Sequence, residues 1–361
     1  MFARDLKWDD DYTLEKSTDN RRGLLQLAMY AMHLATGNTL FCKTIKAATV
    51  KKYIQAAATF LSLFGDTPRD YRRDNPSDAK LSPTLSSVFA ELERWEDQPN
   101  RREPYTLEML EDLKNSTAFT AQGNDSLWAA TADWFECGLF AGLRLSEWAQ
   151  ESGSGKMGSY QRDFKHQARA FTLGDIRFED NKRSRFTAKQ VLETNADATI
   201  TKCWIKFRTQ KNGQNGEERL FARNTDGKCF VQAMLRIVRR FARLRGLNDN
   251  VTPLALYLPA GEKEPRFITS LEIETIMRAN AARVYNLDPV KDKTALQRWS
   301  AHSLRVGACV ILHVMGWTDT QIQWILRWRS NAFMVYLRNV AIMSTMQNHT
   351  LDKAAAMPHF F

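Results

Sequence analysis

The chain has 361 residues, 43% hydrophobic and 25% charged, with a formal net charge of +10. At about 100–200 residues per domain this length predicts two domains, and no apolar run reaches the roughly 18 residues of a membrane span, which excludes a helical membrane protein. The five cysteines, Cys42, Cys137, Cys203, Cys229 and Cys309, stand far apart and never as C-x-x-C, so they read as reduced thiols rather than as a disulfide framework or a zinc site. Residues 1–11 are charged without an apolar run, and no secretory signal is expected. The basic balance points to a polyanionic partner. It is uneven: residues 1–104 carry 16 Lys+Arg against 15 Asp+Glu, a net +1, and the remainder carries 35 against 26, a net +9.

Residues 21–64 have helical periodicity, with Leu24, Leu27, Ala28 and Ala31 three and four apart. Gly65-Asp-Thr-Pro68 stops that pattern. Lys51 and Lys52 read as a solvated face, and the cluster Arg69, Arg72 and Arg73 as either a solvated face or a contact with a nucleic-acid backbone. Another amphipathic helix covers 85–95, and Gln98-Pro-Asn-Arg-Arg-Glu-Pro104 breaks the chain with two prolines, which places the domain boundary there. Thr106 reads as an N-cap with Met109 and Leu110 turned inward. A long apolar helix over 126–141, with Trp134 and Phe135 in the core, runs into Gly142-Leu-Arg144-Leu-Ser-Glu147-Trp148. Strand-like runs follow at 170–173, 200–207 and 219–222. The polar residues 178–198 between the first two predict an ill-ordered insertion. Asn212-Gly213 and Asn215-Gly216 predict a β-hairpin over 202–223 with its loop at 211–217. From Phe230 the chain is mostly helical, without internal repeats.

The chemistry-bearing stretch is Ala301-His302-Ser-Leu-Arg305-Val-Gly-Ala, then Gly316-Trp-Thr318-Asp-Thr-Gln321, then Leu326-Arg-Trp328-Arg-Ser330-Asn-Ala-Phe-Met-Val-Tyr336. His302 and Arg305, three apart on a helix, share a face. Gly316 ends that helix, and Thr318 with Gln321 forms a capping box for the next. Ser330 is the expected N-cap of a third short helix that presents Tyr336. His33, His166, His313, His349 and His359 have no metal-like spacing, and no metal or nucleotide motif is present.

An H-x-x-R helix, a Trp some twenty residues on and a Tyr shortly after it form a pattern that resembles the C-terminal signature of the tyrosine recombinase (phage integrase) family. The His302 stretch is similar to that of Cre recombinase, with the Trp328-to-Tyr336 interval one residue shorter. The wording around Trp328 is similar to Crypton and DIRS-type mobile-element recombinases. Ala141-Gly-Leu-Arg144-Leu-Ser-Glu147 matches the upstream arginine turn of the family. The resemblance implies a mainly α, two-domain DNA clamp: a helical core-binding domain over 1–104 and an α+β catalytic domain with a small antiparallel sheet over 105–361. It also implies a catalytic set of Arg144, His302, Arg305, Trp328 and Tyr336, completed by a hairpin lysine, Lys211, for which Lys202 and Lys206 compete. Glu147 would orient Arg144 or the lysine. By the same resemblance the partner is double-stranded DNA, two sites of which a tetramer joins through a Holliday junction. No cofactor is implied, because a phosphotyrosine bond conserves the energy of the broken phosphodiester. The location is inside the cell with the DNA, and the tail after Tyr336, with Ile342, Met343, Met346 and Leu351, would dock in cis or on a neighbouring protomer.

These residue types suit the reaction. Charge on the non-bridging oxygens of an attacked phosphodiester favours fixed guanidinium forks, and a tyrosine needs a base or positive field to become a nucleophile. A cationic lysine can protonate the leaving oxygen. The indole N–H of Trp328 is a donor only. Two rivals share parts of the pattern, a type IB topoisomerase and a non-catalytic DNA-binding descendant. The H-x-x-R helix and the short Trp-to-Tyr interval favour the recombinase over the first, and the intact residue set over the second.

Overall fold

The computed structural model describes residues 21–36, 45–64, 70–74, 80–96, 101–116, 119–120, 123–150, 154–157, 170–194, 196–208, 215–225, 227–328 and 330–338. The chain divides into two compact units, Met1–Asn100 and Arg101–Phe361. No helix among the described residues is long and apolar enough to cross a membrane.

The first unit is helical. Helices α1 (Arg21–Ala35), α2 (Ala47–Phe64) and α3 (Pro83–Arg94) turn their apolar stripes onto one another. Leu24, Leu27, Ala31, Val50, Ile54, Leu85 and Phe89 form the shared core, as their three-and-four spacing requires. Ser82 caps α3 by accepting from the Thr84 N–H, with Pro83 at the first helical position. Three cations of this unit have carboxylate partners: Lys51 holds Glu93, and Arg72 and Arg73 both hold Asp70. Arg69 lies outside the described residues.

The second unit is built around α5 (Leu127–Ala141), which is buried on almost every side. Helix α4 (Leu107–Asn115), capped by the Thr106 hydroxyl, packs against it, as do α8 (Phe230–Arg245) and α11 (Ser303–Val314). Its length is completed by α6 (Leu145–Trp148), α7 (Ala188–Glu193), α9 (Ser270–Val284), α10 (Lys293–Leu296) and α12 (Asp319–Ile325). Trp134, Phe135 and Trp148 sit in the core, with Trp134 stacked between Trp148 and Phe171. A buried carboxylate is tolerated only when paired. Asp133 and Glu136 of α5 accordingly meet Arg236, Arg240 and Lys114. The remaining arginines of α8 are also taken, Arg239 by Asp197, Arg243 by Asp125 and Arg245 by Asp249. Cys137, Cys203, Cys229 and Cys309 are buried free thiols; Cys42 lies outside the described residues.

One antiparallel sheet has the order β2-β1-β3-β4, from β1 (Ile176–Asp180), β2 (Arg185–Thr187), β3 (Ile200–Phe207) and β4 (Glu217–Ala222). A second pairs β5 (Leu256–Tyr257) with β6 (Arg266–Phe267). Three expectations are corrected. Residues 170–173 are not a strand: Phe171 sits between the Glu147 carbonyl and the Leu254 N–H, and a 3-10 turn, Leu173–Asp175, follows. The polar segment 178–198 is not an ill-ordered insertion. It forms β1, β2 and α7, because the Asp180 carboxylate accepts the Lys182 and Ser184 N–H groups and closes a tight turn, and Thr187 caps the helix. The hairpin loop expected at 211–217 ends before Glu217, since Glu217 pairs with Phe207 and Gly216, at φ 83°, donates to the Phe207 carbonyl; residues 209–214 lie outside the described residues.

Candidate active site

The upstream arginine stands where α5 ends. Gly142 closes that helix in the left-handed region, φ 53° and ψ 48°, and a Cβ there would lie 2.5 Å from Leu326 Cδ2. Only glycine meets both demands. Two residues on, Arg144 starts the short helix α6, and Glu147 binds it twice: Oε2 accepts the Arg144 backbone N–H at 2.8 Å and Oε1 accepts Nη1 at 2.8 Å. The guanidinium also donates to the Arg327 carbonyl at 3.3 Å. Glu147 itself is buried.

The His-Arg helix enters from another direction. Arg305 on α11 is 2% exposed and donates to two main-chain carbonyls, those of Gly142 and Leu326. Its guanidinium lies 4.6 Å over the Trp328 ring. Burial, with Arg327 and Arg144 as neighbours, pulls it down to about 9. A cation kept in such company seeks an anion.

His302, at the N-terminal edge of α11, meets the tyrosine: Nε2 and the Tyr336 hydroxyl are 2.8 Å apart. Crowding and then the positive field of Arg305, Arg102 and Arg144 push His302 down to about 4. The side chain keeps an exposed edge. The imidazole is neutral near pH 7 and can accept the phenolic proton. Tyr336 is half-buried; burial raises its hydroxyl above the usual phenol range and Arg305 opposes the rise.

The tyrosine sits on a 3-10 helix, Asn331–Arg338, rather than on an α-helix. That helix rests on a small separate cluster of Ala308, Cys309, Ile322, Leu326 and Phe333, with Trp328 and Tyr336 packed against it. Phe333 is fully buried and anchors the segment. Trp328 lies beside Tyr336, ring centroids 5.7 Å apart, and its indole nitrogen is buried without a hydrogen-bond partner. A buried donor without a partner is costly; a phosphate oxygen in the site would satisfy it.

Six of the seven residues singled out from the sequence are therefore placed, and Arg144, Glu147, His302, Arg305, Trp328 and Tyr336 converge. Lys211 lies outside the described residues. Its hairpin reaches the same place, since Arg219 of β4 lies over the Trp324 ring at 3.9 Å and Phe207 of β3 lies under the Arg327 guanidinium at 3.7 Å. Of the competing lysines, Lys202 is engaged by Glu179 at 2.7 Å, beside the Trp204 indole N–H on the same carboxylate. Lys206 is exposed on β3. The residue that the sequence reading passed over is Arg327, buried at the centre of this group. Its only signal was an arginine where a helix stop favours glycine. The described residues contain no group of three or more His, Cys, Asp or Glu side chains that could hold a metal ion.

No family model and no curated protein sequence matches the chain. Among solved structures it is similar to the Tn1549 transposon integrase in complex with circular intermediate DNA, at 15% identity over 92% of this chain and 85% of that one, with a TM-score of 0.43. It is also similar to XerH site-specific recombinase bound to a palindromic difH substrate, at 15% identity over 95% of this chain and 73% of that one, with a TM-score of 0.44.

Proposed function

We propose that this chain is a site-specific DNA recombinase of the tyrosine recombinase class, serving a mobile element. In this reading the Tyr336 hydroxyl attacks the scissile phosphorus. The Oη–P bond forms, the P–O5′ bond breaks, and the products are a 3′-phosphotyrosyl protein and a free 5′-hydroxyl. The phenolic proton passes to His302 Nε2, and Lys211 on the hairpin loop supplies the proton that the leaving 5′-oxygen takes up. Arg144 and Arg305 grip the non-bridging oxygens, where negative charge builds in the transition state, and Trp328 donates its indole N–H to one of them. Ligation is the reverse step with a 5′-hydroxyl from another strand.

The observation that carries the reading is the 2.8 Å contact between Tyr336 Oη and His302 Nε2, an imidazole that burial and then the nearby arginines Arg305, Arg102 and Arg144 push toward its neutral form. A structural tyrosine needs no such neighbour, whereas a nucleophile needs a base that can accept at neutral pH. Residues 105–361, which fall within the second unit, then act as the catalytic domain, and residues 1–104 act as a core-binding domain on the same duplex. Exchange between two duplexes calls for a tetramer on two sites passing through a Holliday junction.

The test uses a pool of nicked suicide duplexes randomised around the nick. The wild-type chain should form an adduct that survives denaturant, joined through a 3′-phosphate, and the DNA recovered from it should share a sequence. Tyr336→Phe should form none. An adduct from the Phe variant, or none from the wild type, would sink the proposal, and adducts scattered over unrelated sequences would replace recombination with DNA relaxation.

A further inference from the structure

We infer that Arg327 is a positioning residue for strand cleavage, acting through Glu147 on the arginine fork that receives the phosphate. The inference rests on the strand-cleavage reading above. Its first support is a conflict between backbone and side chain. Arg327 follows α12 at φ 58°, and the Trp328 N–H reaches back to the Gln323 carbonyl at 2.9 Å. This is the helix-ending turn that glycine occupies, because a Cβ is disfavoured there. A long cationic side chain in such a turn goes against local preference, and such exceptions gather where a side chain has a task.

The second support is where the side chain goes. The guanidinium is fully buried, and three of its contacts end on parts of the site. Nη2 donates to Glu147 Oε2 at 2.9 Å, Nη1 to the Ala141 carbonyl at 3.0 Å, and the plane lies 3.7 Å over Phe207. Glu147 thus stands between two guanidinium groups, with Arg327 on one side and Arg144 on the other. The Arg327 main chain closes the ring, since its carbonyl accepts from Arg144 and the preceding carbonyl, of Leu326, accepts from Arg305. Arg327 therefore fixes the carboxylate that aims Arg144, and it ties both phosphate-facing arginines to the turn that presents Trp328.

Its charge matters as well as its shape. Three arginines and one carboxylate leave the group with an excess of two positive charges. Arg327 is among the neighbours that make Arg305 reluctant to hold its proton. The extra negative charge that builds on the phosphate in the transition state would relieve that crowding, so Arg327 favours the transition state over the bound phosphodiester without touching either.

The experiment measures single-turnover cleavage of the duplex recovered from wild-type adducts, at saturating protein, together with its Kd. Arg327→Gly keeps the backbone turn and deletes the side chain; Arg327→Lys keeps the charge, and remains readable if the glycine variant does not fold. Cleavage by Arg327→Gly should fall by about 100-fold, the scale of losing one oriented donor, with Kd moved by less than about threefold, and Arg327→Lys should recover about tenfold of the loss. Because the two residues act in series, Arg327→Gly combined with Glu147→Gln should cleave no more slowly than the slower single variant. Cleavage within about threefold of wild type in both Arg327 variants, or multiplicative losses in the double variant, would overturn the inference. A wild-type chain that forms no adduct at all would instead remove the strand-cleavage reading on which it rests.

Discussion

Gly142 is the point where the fold leaves the least room, and replacing it with alanine has a cost that can be worked from the structure. The residue sits at φ 53°, where a Cβ costs ~1–2 kcal/mol. That Cβ would also stand 2.5 Å from Leu326 Cδ2, and Leu326 is fully buried. Forcing an extra methyl into a filled core adds ~1–3 kcal/mol. Together the two effects amount to ~2–5 kcal/mol, a large part of the ~5–15 kcal/mol of a typical domain. The measurement is denaturant unfolding of the full chain followed by tryptophan fluorescence, to which eight of the ten indoles, the buried Trp134 and Trp148 among them, contribute from the second unit. Leu326→Ala then separates the two effects. Alone it should cost ~2–5 kcal/mol for the cavity, but in the Gly142→Ala background it should cost ~1–3 kcal/mol less, because it makes room for the new methyl. A Gly142→Ala protein within ~0.5 kcal/mol of wild type would refute the reasoning. Strict additivity with Leu326→Ala would refute its steric half.

Two further outcomes follow from the site. His302 is lowered to about 4 in the fold from about 6.5 in the unfolded chain, so the unfolded state binds more protons between those values. Stability from this group is fully present above about pH 6.5 and is lost as the pH falls toward 4; a His302→Asn variant should lose less stability than wild type over that interval, and an identical pH profile would contradict the shift. Phe333→Ala removes the fully buried anchor of the 3-10 helix, a change that costs ~3–5 kcal/mol in a core. Its cluster is small and separate, so the loss should show as faster amide exchange over 331–338 and slower cleavage, with little change in the global unfolding midpoint. A uniform drop in the midpoint without local exchange would show that the segment is not an independent unit.

The parts of the fold that were legible in the sequence are those decided within one turn of chain. Thr106 and Thr318 with Gln321 cap the helices that their spacing indicates, because a cap joins a side chain to a backbone N–H two or three residues away. The strand pair Ile200–Phe207 and Glu217–Ala222 was legible from its alternation and its Asn-Gly turns. Phe171 was not: its extended backbone is held by Glu147 and Leu254, far along the chain. The segment 178–198 looked structureless because its order depends on one aspartate closing a turn and on cross-strand partners such as Cys203 opposite Phe178. In the site, residue type and order pointed to Arg144, His302, Arg305, Trp328 and Tyr336. The 3-10 form of the Tyr336 helix and the burial of Arg327 arise from packing between distant segments, which no local spacing encodes.

The paired arginines of α8 bear on how the chain would meet a polyanion. Between Arg236 and Arg245 lie five arginines, the densest basic run among the described residues, and each has a carboxylate partner within the fold. When a protein displaces counterions from DNA, the slope of log K against log salt reports only the cations that replace them at phosphates, about 0.9 per contact. Cations already committed to carboxylates release no counterions. The arginines of α8 would then add little to the ionic-strength sensitivity of DNA binding, and neutralising Arg243 at the rim of α8 would leave that slope unchanged.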